Sequence, residues 1–379
     1  MAAALDGERV RAWARDVGFD DAGIAPVAVP QHEDRLRGWL DAGRHASMQW
    51  LARNTEVRLD LRSRFPWARS VVVVLRSYRG SADGVGRDGI ARFVSSYARG
   101  EDYHDVLIPR LDALAERMRS VEPELESHAY VDTGPVLERQ LAVEAGLGWQ
   151  GNNTLLLHPK HGSRFFLGVL VTSLELAPTP SSVGSCGTCR ACQPACPTGA
   201  FVAPGVLDAG RCISYLTIEH RGPIPRELRP AMGQWLFGCD LCQTCCPFEV
   251  GASASGDPVF RATDTTLGIS LAELLRLDDD GFRARFRRTP LWRPKRVGLL
   301  RNALIVVGNG EHVDCVPAVV ELLRDEEPVL REAASWALGR LGISETRDAL
   351  VAARAVEGEA WVAEAMDDDL SRLGGESLG

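Results

Sequence analysis

The sequence predicts an α+β protein in three parts. These are a mixed α/β N-terminal domain over residues 1–180, a ferredoxin-like segment for two [4Fe–4S] clusters over 181–255, and a C-terminal α-helical, HEAT-like repeat over 256–379. Three observations carry this reading. Short β-branched runs alternate with helical spacing in the first part. Nine of the ten cysteines crowd between Cys186 and Cys246. Beyond the cysteine-rich region, a helical motif recurs at a fixed offset.

In the N-terminal part, "SVVVVL" (70–75), "HAYVD" (128–132) and "RFFLGVLVTS" (164–173) are short, apolar and β-branched, as buried strands are. Between them, "YHDVLIPRLDALAERMRSV" (103–121) and "PVLERQLAVEAG" (135–146) have helical spacing, the second opened by Pro135 and closed by Gly146. The Pro/Ser/Gly-rich "APTPSSVGS" (177–185) marks a boundary. In the last part, "LLRNALIVVGN" (299–309) and "VLREAASWALGRLG" (329–342) share Leu-Arg-x-Ala, from Leu300 and from Leu330, followed by an apolar run ending in Gly. Helix pairs at that period stack to bury a shared core. "EAWVAEAMDDDLSRLG" (359–374) is a degenerate third unit, expected to be the polar cap.

The N-terminus carries charges in its first ten residues and no apolar export segment, and no apolar run approaches the roughly 18 residues of a membrane span. A cytoplasmic, membrane-free, monomeric protein is expected. Cytosolic thiols stay reduced, so clustered cysteines point to metal rather than disulfides. The net charge of −8 argues mildly against nucleic acid, although a local basic patch overrides a global balance.

The first cysteine motif is Cys186-x2-Cys189-x2-Cys192-x3-Cys196-Pro197. In ferredoxin-type proteins this spacing puts three thiolates on one [4Fe–4S] cluster, while the cysteine before proline reaches a second. Zinc sites use two separated knuckles instead. Aligned on Cys246-Pro247, the second motif supplies Cys242 and Cys239, and the next step lands on Leu236, so it is one ligand short. Cys212 is the unassigned cysteine nearby. Cluster one therefore takes Cys186, Cys189, Cys192 and Cys246, and cluster two takes Cys196, Cys212, Cys239 and Cys242. Cys245 and the lone Cys315 are left as small buried residues.

Other candidates are weaker. "GVGRDG" (84–89) matches a dinucleotide fingerprint but stands eight residues after the strand, which fits a surface loop better. "DTG" at 132–134 lacks the second copy that aspartic-protease chemistry needs. Asp132 nonetheless sits at a strand end before a helix, where either a functional acid or a plain N-cap would stand. The stretch Arg283–Arg301, "RARFRRTPLWRPKRVGLLR", holds eight basic residues and no acid, with Phe286 and Trp292 interleaved as stacking surfaces. It is expected to bind nucleic-acid phosphates.

Taken together, "YARGEDYH" (97–104), "VDTGPVLER" (131–139), "GWQGNNTLLL" (148–157), "CGTCRACQPACPTGA" (186–200), "CISYLTIEHRG" (212–222), "GCDLCQ" (238–243) and "LLRNALIVVGN" resemble the epoxyqueuosine reductases over nearly the whole chain. The resemblance implies reduction of epoxyqueuosine to queuosine at the wobble position of tRNA anticodons. It also implies a cobalamin in the N-terminal domain, fed by the two [4Fe–4S] clusters from an external electron donor, and tRNA binding by the helical repeat. It makes Asp132 the proton donor, for which an apolar pocket and a raised pKa are expected. Arg58, Tyr97, Tyr103, Asn153 and Thr154 become candidate cobalamin contacts, and Arg221, Arg293, Lys295, Arg296 and Arg301 candidate tRNA contacts. The Asp-x-His-x-x-Gly cobalamin signature is absent, with Leu107 in place of its glycine, and Asn152 stands where the family pattern has lysine. A reductive dehalogenase with the same cofactors, or a non-catalytic iron–sulfur carrier, are the competing readings.

Overall fold

The protein was analysed as a computed structural model, which describes residues 5–28, 33–80, 89–182, 184–253 and 256–374. Its contacts divide into two compact units: Met1–Asp83 with Gly100–Gly210 and Asp240–Arg261, and Gly84–Arg99 with Arg211–Cys239 and Ala262–Gly379. Of the cysteine segment, residues 181–210 and 240–255 fall in the first unit and 211–239 in the second. Most of the Gly-rich "GVGRDG" loop lies outside the described residues.

The first unit is built on helix α1 (Gly7–Asp16), strands β1 (Asp21–Pro26) and β2 (Ser70–Ser77), helix α2 (Tyr103–Arg119), strand β3 (Ser127–Tyr130), helix α3 (Glu138–Glu144) and strand β4 (Phe165–Thr172). The four strands form one sheet in the order β1-β2-β4-β3, antiparallel throughout. Val71 to Leu75 are fully buried because both faces of the sheet are covered. One face, with Val71, Val73, Leu75, Val169 and Val171, shares a core with Leu141 and Ala142 of α3 and with Ala145 just after it. On the other side α2 packs against β4, burying Leu107, Leu111 and Leu114. Each such side chain contributes roughly 1.5–3 kcal/mol of transfer free energy.

Strand β1, "DAGIAP", has little intrinsic β-propensity. Its strand comes from six paired positions against β2, from Asp21 opposite Leu75 to Pro26 opposite Ser70. A Cβ on Gly23 would lie 2.0 Å from the Ala145 carbonyl oxygen, so only glycine lets β1 approach the end of α3. Helix α3 begins at Glu138, three residues after Pro135, because Val131–Leu137 is used by a turn. In that turn, Asp132 has a left-handed backbone (φ 57°).

The second unit contains α4 (Ile213–Ile218), α5 (Lys295–Gly310), α6 (Val316–Leu322), α7 (Pro328–Leu341), α8 (Arg347–Val356) and α9 (Ala360–Gly374). Helices α5, α7 and α9 pack in succession, with α6 on α7 and α8 on α9. This is the repeat that the recurring Leu-Arg-x-Ala motif predicts. Helix α9 is more than a polar cap. Its Asp369 is fully buried and accepts from both Nη atoms of Arg226 (2.7 and 3.0 Å) and from Ser335 (2.8 Å). Arg226 Nε and Arg229 Nη2 donate to Glu332 of α7 at 2.8 and 2.6 Å. Cys315 is fully buried, and burial pushes its thiol up to about 12, as its bland reading requires. Among the described residues, no helix is long and apolar enough to cross a membrane.

Candidate active site and cysteine segment

Asp132 lies two residues after the end of β3, and 67% of its side chain is exposed. It does not cap α3, whose N-cap position, Leu137, makes no side-chain bond. The contact runs the other way, with the Asp132 backbone N–H donating to Glu138 Oε1 at 2.6 Å. This bond and the close seat of Gly134, where a Cβ would strike the Tyr130 ring, define the turn.

The first turn of α2 faces Asp132. Asp102 caps that helix, accepting from the His104 backbone N–H at 3.0 Å and pairing with His104 Nδ1 at 2.6 Å. With one nitrogen fixed, the other, Nε2, lies 3.8 Å from Asp132 Oδ2. Tyr103 stacks on His104 (ring centroids 4.1 Å apart) and on Phe166 (4.4 Å, 7° between planes).

The electrostatics reverse the expected raised pKa of Asp132. Partial desolvation, on a side chain that stays largely exposed, pushes its carboxyl up, but His104, Tyr103 and Arg139 outweigh it and hold Asp132 below the ordinary range. His104 moves the opposite way. Burial favours its neutral form, yet Asp102 and Asp132 raise it to about 9. Glu138 is pushed up to about 8 by burial and by the charge of Asp132. At neutral pH the dissociable protons of this corner therefore sit on His104 and Glu138, while Asp132 is a carboxylate.

Of the candidate cofactor contacts, Arg58, Tyr103 and Thr154 fall within this unit near the same turn. Arg58 is buried, its Nη1 donates to the Gly134 carbonyl at 3.4 Å, and its Nε has no partner among the described residues. Thr154 has a left-handed backbone (φ 66°), and its carbonyl accepts from Arg139 Nη1 at 2.7 Å. Asn153 is buried, and its amide donates to the Cys242 carbonyl (3.1 Å) and accepts from Leu155 N–H (3.2 Å), so its side chain braces the cysteine segment. Tyr97 belongs to the second unit, its ring 6.1 Å from Phe237.

Within the first unit, Cys186 and Cys246 share an apolar cluster with Trp149, Leu157 and Phe248. Burial and then the neighbouring Cys245, Cys186 and Cys246 sulfurs push the Cys192 thiol up to about 11. Backbone N–H groups of Asn152 and Ala200 point at Cys186 and Cys196 Sγ, each at 3.3 Å. Thiolate sulfurs with N–H donors aimed at them are a donor set that suits an iron–sulfur cluster. Asn152, at the family's lysine position, also donates to the Cys189 carbonyl at 2.8 Å. Cys245 is half-buried among the same sulfurs. Cys245→Ala is expected to keep about eight irons per chain, the count for two four-iron clusters, and Cys246→Ala to lose a cluster, both read by iron assay and visible absorbance.

In the second unit the basic stretch divides. Arg301 is 1% exposed, and its guanidinium donates to the carbonyls of Leu216, His220 and Gly222 (2.6–3.1 Å) and to Asn302. It is a structural tie, not a phosphate contact. Arg296 is largely engaged too, by Asp325 (2.7 Å) and the Leu277 carbonyl (2.8 Å). Phe286 is fully buried, and Trp292 lies between Phe282 (5.4 Å) and Lys295 Nζ (4.0 Å), so neither offers a free stacking face. Within the stretch, Arg283, Arg287, Arg288, Arg293 and Lys295 are exposed, as is Arg221 outside it. Arg221 donates to the Arg293 carbonyl at 2.8 Å, and Arg293 pairs with Glu219 at 2.8 Å.

Residues 58–133 match the family described as "Epoxyqueuosine reductase QueG, DUF1730", residues 185–249 a "4Fe-4S double cluster binding domain", and residues 298–366 "HEAT repeats". The epoxyqueuosine reductase of Pseudomonas aeruginosa is 38% identical over 343 residues, covering 88% of this chain and 94% of the relative. The chain belongs to the epoxyqueuosine reductase family. The Escherichia coli K12 enzyme is 34% identical over 336 residues, covering 88% of this chain and 89% of its own. A crystal structure of an epoxyqueuosine reductase with an epoxyqueuosine-modified tRNA-Tyr stem loop superposes with a TM-score of 0.90 at 29% identity, covering 97% and 98% of the two chains. A Bacillus subtilis epoxyqueuosine reductase, in which the catalytic aspartate loop is swung out of the active site, superposes with a TM-score of 0.88 at 28% identity, again covering 97% and 98%.

Sequence reasoning missed His104 and Glu138. A signal existed for the first. Asp102 two residues before His104, at a helix start, is the spacing at which a capping carboxylate also reaches the ring. Glu138 gave none, because its role depends on the turn that precedes α3.

Proposed function

We propose that this chain reduces epoxyqueuosine to queuosine in tRNA, with Asp132 delivering a proton to the departing epoxide oxygen. The observation that carries the reading is the Asp102–His104–Asp132 corner, a proton-bearing group beside an accessible acid, in a chain that also holds the double-cluster segment. Removing the oxygen as water takes two electrons and two protons, so an acid at this corner and an electron path are both required. Cys186, Cys189, Cys192 and Cys246 would hold one [4Fe–4S] cluster, and Cys196, Cys212, Cys239 and Cys242 the other.

The residues near Asp132 fit a cobalamin, since Arg58 presents a buried, unpartnered N–H to a large amide-bearing ligand and Tyr103 and Thr154 flank the same turn. When bound there, cobalamin supplies low-potential two-electron chemistry at cobalt. The chain's own residues do the rest. Arg58 and Arg139 add positive charge around Asp132, Tyr103 holds the His104 ring by stacking, and Glu138 holds the Asp132 backbone.

Anaerobic reconstitution with iron, sulfide, cobalamin and a chemical reductant, assayed on epoxyqueuosine-containing tRNA, tests the reading. Queuosine formation is expected, and none from the loaded wild-type protein refutes it. Arg221, Arg293 and Lys295 are the proposed phosphate contacts. Arg221→Glu with Lys295→Glu is expected to weaken tRNA binding and to flatten the slope of log affinity against log salt by about 0.7–0.9 per lost contact. Filter binding across a salt series reads this, and unchanged affinity moves the RNA surface elsewhere.

A further inference from the structure

We propose that His104 is a positioning residue that stores the proton delivered by Asp132, in an Asp102–His104–Asp132 relay. This rests on the proposed function. Asp102 accepts from both the backbone N–H and the Nδ1 of His104 (3.0 and 2.6 Å), which fixes the ring's orientation and leaves Nε2 as the free edge. That edge is buried, has no hydrogen-bond partner among the described residues, and lies 3.8 Å from Asp132 Oδ2. The separation exceeds a hydrogen bond by less than an ångström. A small movement of the turn holding Asp132 closes it. Stacking between His104 and Tyr103 opposes rotation of the ring away from the carboxylate.

The charged and titratable groups facing the imidazole are Asp102 and Tyr103 from the start of α2, Asp132 from the turn after β3, and Glu138 and Arg139 from α3. The carboxylates nearest the ring favour its charged form, so at neutral pH the pair rests as imidazolium and carboxylate. As the epoxide oxygen departs, the His104 Nε2–H bond breaks and an O–H bond forms on Asp132 Oδ2. The carboxylic acid passes that proton to the departing oxygen, and solvent returns one to the neutral imidazole. No electron moves in this step, and no further reagent is consumed.

A purely structural His104 would anchor the start of α2 and nothing more. Two measurements on the cluster-loaded protein separate the readings. Imidazole titration by NMR with labelled histidine is expected to place wild-type His104 near 9 and to move it down in Asp132→Asn. A wild-type midpoint near the ordinary histidine value, or one indifferent to Asp132→Asn, overturns the proposal whether or not the protein acts on epoxyqueuosine. In pH–rate profiles of the cobalamin-loaded enzyme, Asp102→Asn is expected to shift the alkaline limb toward lower pH by about one to two units. His104→Gln is expected to lose turnover with little change in KM for tRNA. Turnover that falls equally at every pH, with the limb unmoved, assigns His104 a structural role. Failure of the wild type to turn over at all strikes the proposed function instead, and the titration still decides His104.

Discussion

Asp132→Asn is expected to lower turnover on epoxyqueuosine-containing tRNA by about 100-fold or more, the usual contribution of a positioned acid, while iron content stays unchanged. The substitution suits this position. Asparagine tolerates the left-handed backbone at residue 132, and the main-chain N–H that reaches Glu138 is retained. The variant therefore removes the acid without dismantling the turn. A stability signature accompanies it. His104 titrates higher in the folded chain than in the unfolded one, so its ion pairs stabilise the fold fully below about pH 6.5 and lose that contribution as pH rises through about 9. The variant should unfold more easily than wild type near pH 6, and the gap should close by about pH 10. Single-turnover kinetics and urea titrations at both pH values check this. Wild-type turnover by the variant would remove Asp132 from the chemistry.

Arg301→Met is expected to destabilise the chain by about 2–4 kcal/mol. Methionine fills much of the volume, but the carbonyls of Leu216, His220 and Gly222 lose a charged donor and stay buried. Burial lowers Arg301 to about 9, with help from the Arg221 and Arg229 charges, and its charged form is favoured by the oriented carbonyls and the Asn302 side-chain oxygen. The carbonyls lie at and just after the C-terminal end of α4, where helix carbonyls have no intrahelical donor. Arg301 thus pins the end of α4 to α5. Denaturant unfolding measures the loss. Salt-dependent tRNA binding at a temperature where the variant is folded should be unaffected, which separates this role from a phosphate contact. Unchanged stability with a flattened salt slope would return Arg301 to the RNA surface.

The cysteine segment was legible because ligand spacing is dictated by the reach of a short chain around a small cluster. Strands β2 and β4 were legible because their β-branched runs are too short and too apolar for anything but a buried sheet. Strand β1 was not, since its geometry is imposed by pairing with residues about 50 positions away. The basic stretch misled because composition counts charges without facing them. Arg301 sits in a helix whose residues Gly298 to Gly308 are all buried, and its neighbours Leu299, Leu300, Ala303 and Leu304 already announced an inward position. Asp132 was found by motif, but its ionisation was misjudged. The imidazole that sets it comes from α2, and nothing local to "VDTGP" encodes that partner.

The buried charges of the helical repeat bear on how the chain is made. Arg226 emerges from the ribosome more than a hundred residues before Asp369, the carboxylate that brackets its guanidinium. Until α9 is synthesised, Arg226, which stays partly exposed in the finished fold, has only Glu332 of its two carboxylate partners, and the buried Ser335 hydroxyl lacks the carboxylate it donates to. The repeat therefore has reason to stay open during translation and to close when its last helix arrives. Prematurely terminated chains would be left loosely packed and open to proteases, so only a polypeptide that has reached α9 would pass as finished.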